Sequence, residues 1–149
     1  MITKTVRSRP SRAARIFGYT VAAAVNFALL YLVNVRPGWG TVPFLTEDTR
    51  QVLALFNLSL VAGIATNLAY VLYDAPRWKA LWDLVANGIS LAVLIKVWAV
   101  FPFAFGAQGW TLVTRTLLII AMAGTAIAIL AQAISMTGGT IRSVSGRTS

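Results

Sequence analysis

The chain has 149 residues, 58% of them hydrophobic and 11% charged, with a mean hydropathy of +0.74, and no ordinary water-soluble class has that composition. Cysteine and histidine are both absent, which excludes disulfides, thiol redox chemistry, iron–sulfur clusters, His-ligated haem, the usual zinc sites and Cys or His nucleophile–base pairs. Thirteen Lys and Arg stand against four Asp and Glu, for a formal charge of +9; their placement along the chain fits a membrane surface and not nucleic acid.

Four apolar stretches, over 15–35, 50–72, 80–103 and 111–136, are each about as long as the roughly 20 residues a helix needs to cross a hydrocarbon core. Barrel strands would alternate in polarity over segments of about 10 residues, and no such alternation is present. The sequence therefore predicts an all-α membrane protein, an antiparallel four-transmembrane-helix bundle. Residues 1–14 form a basic, disordered N-terminal tail in this reading, and 137–149 a flexible Gly/Ser/Thr-rich C-terminal one.

The first span follows the basic group Lys4, Arg7, Arg9, Arg12 and Arg15. A basic segment before an apolar run is also how a signal sequence begins, but this run is longer than the usual 7–15 residues and ends in Asn34-Val35-Arg36-Pro37, with no small-residue cleavage site. It is read as an uncleaved span. Asn26 is an intramembrane amide near its middle. Pro37, Gly38 and Gly40 end it, since neither residue type continues a helix comfortably. The following loop, through Val42, Pro43, Phe44 and Leu45, is apolar enough to lie along the interface. Thr46 is the expected N-cap of the second span, with Glu47 and Asp48 in its first turn.

The second span carries Asn57, Asn67 and Tyr70 and ends near Asp74 and Pro76. Ser59, Gly63 and Thr66 lie along it at helix spacing, a seam of small residues that lets another backbone approach closely. A short turn then returns the chain as a hairpin. Counted away from Pro76, Tyr70 and Asp83 stand at similar heights, as do Asn67 and Asn87. Helical phase puts Asn67, Tyr70 and Asp74 on one face and Asp83, Asn87 and Ser90 on another. These six residues are expected to gather as a polar cluster in the hairpin. Three roles are open to it: hydrogen-bonded glue between helices, a cytoplasm-facing cavity with the Asp83 carboxylate at its mouth, or an interface with another protein.

Lys96, farther along the third span, is expected to snorkel to the headgroups, a buried partner or an anion site being the alternatives. The span ends at Phe101-Pro102-Phe103. The fourth contains Arg115, with Glu47 and Asp48 as expected neighbours, then Gln132, and a second small-residue seam at Ala121, Gly124 and Ala128. Trp39, Phe44, Trp98, Phe101, Phe103, Phe105 and Trp110 mark one interface, and Tyr70, Tyr73, Trp78 and Trp82 the other, the pattern of an aromatic belt.

The charges give an orientation. Nine basic residues (Lys4, Arg7, Arg9, Arg12, Arg15, Arg77, Lys79, Arg142 and Arg147) fall on the side of the termini, and Arg36, Arg50, Lys96 and Arg115 toward the other. By the positive-inside rule both termini are expected in the cytoplasm, with the basic groups beside anionic headgroups. No P-loop, dinucleotide-binding glycine pattern or metal-ligand cluster occurs, so no cofactor, metal or enzymatic activity is expected. The expected role is an accessory or scaffold subunit packing against a second copy or a larger membrane protein, with a small oligomeric transporter or channel as the alternative.

The segment Arg36-Pro-Gly-Trp-Gly-Thr-Val-Pro-Phe-Leu, followed by Asn57-Leu-Ser-Leu, Gly63-Ile, Asn67 and Tyr70, resembles a group of small four-span membrane proteins of high-GC Gram-positive bacteria. The likeness runs over roughly 15–136. It implies a bacterial inner-membrane location and one compact unit, and it carries over no catalytic or binding residue.

Overall fold

The computed structural model describes residues 9–145 and contains four long helices: α1 (Arg12–Asn34), α2 (Thr49–Leu72), α3 (Pro76–Val100) and α4 (Gln108–Ser145). All four are long and apolar enough to cross a membrane. Such helices suit lipid because each closes its own backbone hydrogen bonds. Packing runs in chain order, α1 on α2, α2 on α3 and α3 on α4, and neither α1 nor α4 forms a comparable seam with a second helix. Few large apolar side chains are buried and many face outward, among them Phe17 at 71% exposed and Leu112 at 69%. In water that surface would drive aggregation; in hydrocarbon it is the solvated face.

Local chemistry sets each helix end. Ser11 caps α1, its hydroxyl accepting from the Ala14 amide at 3.2 Å. Past α1, Gly38 at φ 84 adopts a left-handed conformation open to glycine, and a short 3-10 turn follows over Trp39–Thr41. Thr46 does not cap α2 as expected. It opens a preceding turn in which the amides of Thr49, Arg50 and Gln51 bond the carbonyls of Thr46, Glu47 and Asp48. Asp48 therefore occupies the cap position, and the Thr46 hydroxyl is buried without a partner. Tyr73 is extended, at φ −145 and ψ 101, and Pro76 begins α3 at the position where its missing N–H is harmless. α3 stops at Phe101, which takes the left-handed conformation at φ 44 just before Pro102. That conformation costs a non-glycine residue about 1–2 kcal/mol. The Phe101 ring recovers contact with Phe103, centroids 5.4 Å apart, and with the Arg115 guanidinium at 4.2 Å.

Helix α4 starts at Gln108 and continues through Ser145, so residues 137–145, expected as flexible tail, extend the last helix. Likewise α1 begins at Arg12, inside the expected tail. Residues 1–8 and 146–149 of the two tails lie outside the described residues.

The two loops at the end opposite the termini are joined. Leu45 and Phe103 form an antiparallel β-bridge. Flanking it, the Thr46 amide donates to the Pro102 carbonyl at 3.0 Å and the Ala104 amide to the Phe44 carbonyl at 2.8 Å. The bridge satisfies peptide groups that apolar surroundings would leave without partners.

Candidate functional site: a charged cavity at the termini end

Polar chemistry concentrates where the start of α1, the α2–α3 turn and the later half of α4 meet. Arg15, one turn into α1, donates Nε–H to Asp74 Oδ2 at 2.7 Å and an Nη1–H to the Pro10 carbonyl at 2.7 Å. Asp74 Oδ1 also lies 3.6 Å from Lys79 Nζ and accepts from the Tyr19 hydroxyl at 3.4 Å. Lys79 in turn donates to the Tyr19 hydroxyl, and its ammonium stands 4.7 Å from the Tyr19 ring centroid and 5.1 Å from that of Tyr70. An ammonium over two ring faces is attracted by both quadrupoles. The rings themselves meet edge-on at 5.3 Å.

Tyr70 is 5% exposed. Its hydroxyl donates to the Asp83 carboxylate and lies 3.1 Å from the Lys79 carbonyl. One turn farther along α3, Asn87 Nδ2 donates to Gln132 Oε1 on α4 at 3.1 Å. Asp74 lies in the turn, outside the helices, and the Arg15 hydrogen bond holds its carboxyl below its ordinary value; partial burial opposes this, while the Arg15 and Lys79 charges and the Tyr19 hydroxyl add to it. A cavity of about 400 Å3 opens beside this network, between the start of α1, α3 and α4.

The structure divides the six expected cluster residues. Tyr70 bonds Asp83, and Asp74 is close by through Lys79. Asn87 turns to α4 instead. Asn67 donates to its own helix, to the Gly63 carbonyl at 2.7 Å, and the Ser90 side chain makes no hydrogen bond among the described residues. Asp74 reaches the group by a route other than helical phase, because the chain is already extended at Tyr73. Arg15, Tyr19 and Lys79, at the heart of the network, were not among the expected residues. The available signal was positional: two residues four apart at the start of α1, at the level of the α2–α3 turn.

The remaining intramembrane polar residues are elsewhere. Asn26 Nδ2 donates to the Ala22 carbonyl at 2.8 Å, and its side chain fills the space that a β-carbon on Gly63 would enter, 2.9 Å from Asn26 Oδ1. Gly63 thus makes room for α1 on α2. Beside it on the same helix Thr66 is buried and Ser59 half-buried. Asn57 and Asn34 exchange two hydrogen bonds of 2.8 and 2.9 Å near the other end. Lys96 is half-buried and makes no ion pair among the described residues. Arg115 does not meet Glu47 or Asp48; it lies over Trp98 at 4.9 Å and over Phe101. On α4 the seam faces away from α3: Ala121 and Gly124 are exposed, a β-carbon on Gly124 would meet nothing within 4 Å, and only Ala128 is half-buried.

A second cavity, of about 430 Å3, lies at the opposite end between α1, the first loop, α2 and the end of α3. Leu32, Trp39, Val52, Phe56, Val97 and Phe103 are among its walls, and it offers little polar chemistry. Among the described residues no group of three or more His, Cys, Asp or Glu side chains gathers as a metal site would require. No known protein family, curated protein or solved structure matches this chain.

Proposed function

We propose that this protein is an accessory or scaffold subunit of the bacterial cytoplasmic membrane, with both termini inside, and that it docks through α4 against a second copy or a larger membrane protein. The outward face of α4 supports this role. Ala121 and Gly124 stand exposed there, between large outward side chains such as Leu117 and Ile127 at 60% and 66% exposed. Association in lipid has no hydrophobic drive of its own and relies on close backbone approach at small residues. A small-residue face with nothing on it therefore suits a partner helix. The cytoplasmic orientation follows from the nine basic residues grouped with the termini and the α2–α3 turn. An accessory subunit needs neither a catalytic residue nor nucleic acid.

Native mass measurement after gentle extraction tests the role. The wild type is expected to leave the membrane as a homo- or hetero-complex. Gly124→Leu, which adds bulk only to the outward face, is expected to release the monomer with its helix content intact. A wild type that is monomeric throughout overturns the role.

The charged cavity favours a second reading, a small transporter or channel that admits its solute beside Asp83. Flux into liposomes that Asp83→Asn abolishes would establish it. Liposomes that stay tight with the wild type would remove it.

A further inference from the structure

Two opposite charges line the cavity at the termini end without pairing. Arg9 and Asp83 are both part of its wall, yet neither forms an ion pair among the described residues. The Asp83 carboxylate has the Tyr70 hydroxyl on Oδ1, which leaves Oδ2 free. The other charges are matched differently: Asp74 is shared by Arg15 and Lys79, two cations on one anion. Arg15 uses its Nε–H and one Nη1–H of the five N–H donors a guanidinium has. Gln132, the cavity residue from α4, accepts from Asn87 through Oε1, so its Nε2 donors remain. The cavity wall thus carries an acceptor carboxylate on α3 together with a set of donors with surplus positive charge. A half-buried carboxylate without a cation is unfavourable unless something completes it. A ligand bearing an ammonium at one end and an oxyanion at the other completes both sides at once.

We propose that this cavity binds a phosphoethanolamine group, its primary ammonium on Asp83 and its phosphate against Arg9 and the free N–H groups of Arg15. Phosphate is the oxyanion that the headgroup layer presents at the end of a membrane-crossing helix, and a guanidinium matches its oxygens in pairs. The group reaches the cavity from a phosphatidylethanolamine molecule or from free phosphoethanolamine in water. The proposal is independent of what α4 docks against.

The test uses the full chain, stripped of lipid in detergent, with retained ligand measured by native mass. Phosphatidylethanolamine is compared with phosphatidylglycerol, which has no ammonium, and with phosphatidylcholine, whose ammonium has no N–H to donate. The wild type is expected to hold the ethanolamine lipid at least about tenfold more tightly than either, the scale of one charge-assisted hydrogen bond. Asp83→Asn removes that preference. Arg9→Gln, placed before α1 where no helix depends on it, weakens the ethanolamine and glycerol lipids alike. Competition by free phosphoethanolamine at equal concentration assigns the soluble source, and its failure to compete assigns the lipid. Equal retention of the three lipids by the wild type, or a preference that survives Asp83→Asn, overturns the proposal.

Discussion

The two ends of the molecule solve the same problem by different means. At the termini end the connection between α2 and α3 is only Tyr73, Asp74 and Ala75, so few peptide groups are left over. Side chains from α1, α2 and α3 do the joining there, through Arg15, Asp74, Lys79 and two tyrosines. At the other end the connections are long and apolar. Their backbones bond each other across Leu45 and Phe103, and rings cover the junction: Phe44 lies 5.6 Å from Phe105, and Phe103 lies 5.5 Å from Phe105. Loop length decides which device is needed. A long loop near lipid must find partners for its peptide groups, whereas a three-residue turn frees its level of the bundle for charge chemistry. The network of shared charges accordingly sits at the termini end, while the other end carries the exposed Glu47–Arg50 pair.

Each device can be broken separately. The largest effect is expected at neither end but at Gly63, on which the α1–α2 seam depends. Gly63→Leu drives bulk into the Asn26 side chain, and overpacking of this kind costs about 1–3 kcal/mol; the upper part of that range is expected, read as a fall in melting temperature in detergent, with both ends loosened together. Phe103→Ala should cost less, about 1–2 kcal/mol for the lost ring pairs, and only at the loop end. Amide exchange at Thr46 and Ala104 is expected to speed up while Arg15 and Lys79 stay in place. Loosening of the termini end in this variant would show that the two devices are coupled.

The four crossings were legible because hydrocarbon imposes one requirement on every residue of a span, and a sum over 20 residues carries that signal. The turn near Pro76 was legible as a short break between two apolar stretches, although α3 runs over Pro76–Val100 and not over 80–103. Counting outward from a turn also placed Tyr70 opposite Asp83, since a short hairpin leaves no freedom of register. What it missed was any residue outside the hairpin. Arg15 and Tyr19 are more than 50 positions from Asp74, and only the packing of α1 on α2 brings them there. Phase on a helix likewise shows that Ala121 and Gly124 share a face but not what covers it; in the structure α3 takes another face of α4. The Leu45–Phe103 bridge is a single pair of residues, with no alternation of polarity to betray a strand.

At the charged end, Asp74→Asn removes the anion that Arg15 and Lys79 share. A modest drop in melting temperature is expected, and its pH dependence identifies the cause. The Asp74 carboxyl titrates below its ordinary value of 3.8 when folded, chiefly through the Arg15 hydrogen bond, with Lys79 and Tyr19 also facing it. Its contribution is therefore present in full above the unfolded value and is lost as pH falls through the folded one. Wild type and Asp74→Asn are expected to differ at neutral pH and to converge in acid, below about pH 4. A constant difference across that range would mean that the loss comes from packing and not from charge.

The smallest effect belongs to the ion pair at the other end, and it sharpens the contrast. Glu47 and Arg50 approach to 3.0 Å, closer than Lys79 and Asp74, but their side chains are 81% and 71% exposed. Water screens such a pair, and holding two long side chains in register consumes most of what is gained. Glu47→Gln is expected to change stability by less than about 0.5 kcal/mol. Arg50→Ala should cost slightly more, because the Arg50 guanidinium also lies 5.7 Å from the Trp39 ring centroid and an exposed cation–ring contact contributes about 0.5–1 kcal/mol. A double-mutant cycle separates the two contributions: the Glu47–Arg50 coupling should be near zero and vanish in high salt, while the Trp39–Arg50 coupling should persist. A strong, salt-resistant Glu47–Arg50 coupling would mean that this end is also held by charge, and that its loops and rings are not sufficient to close it.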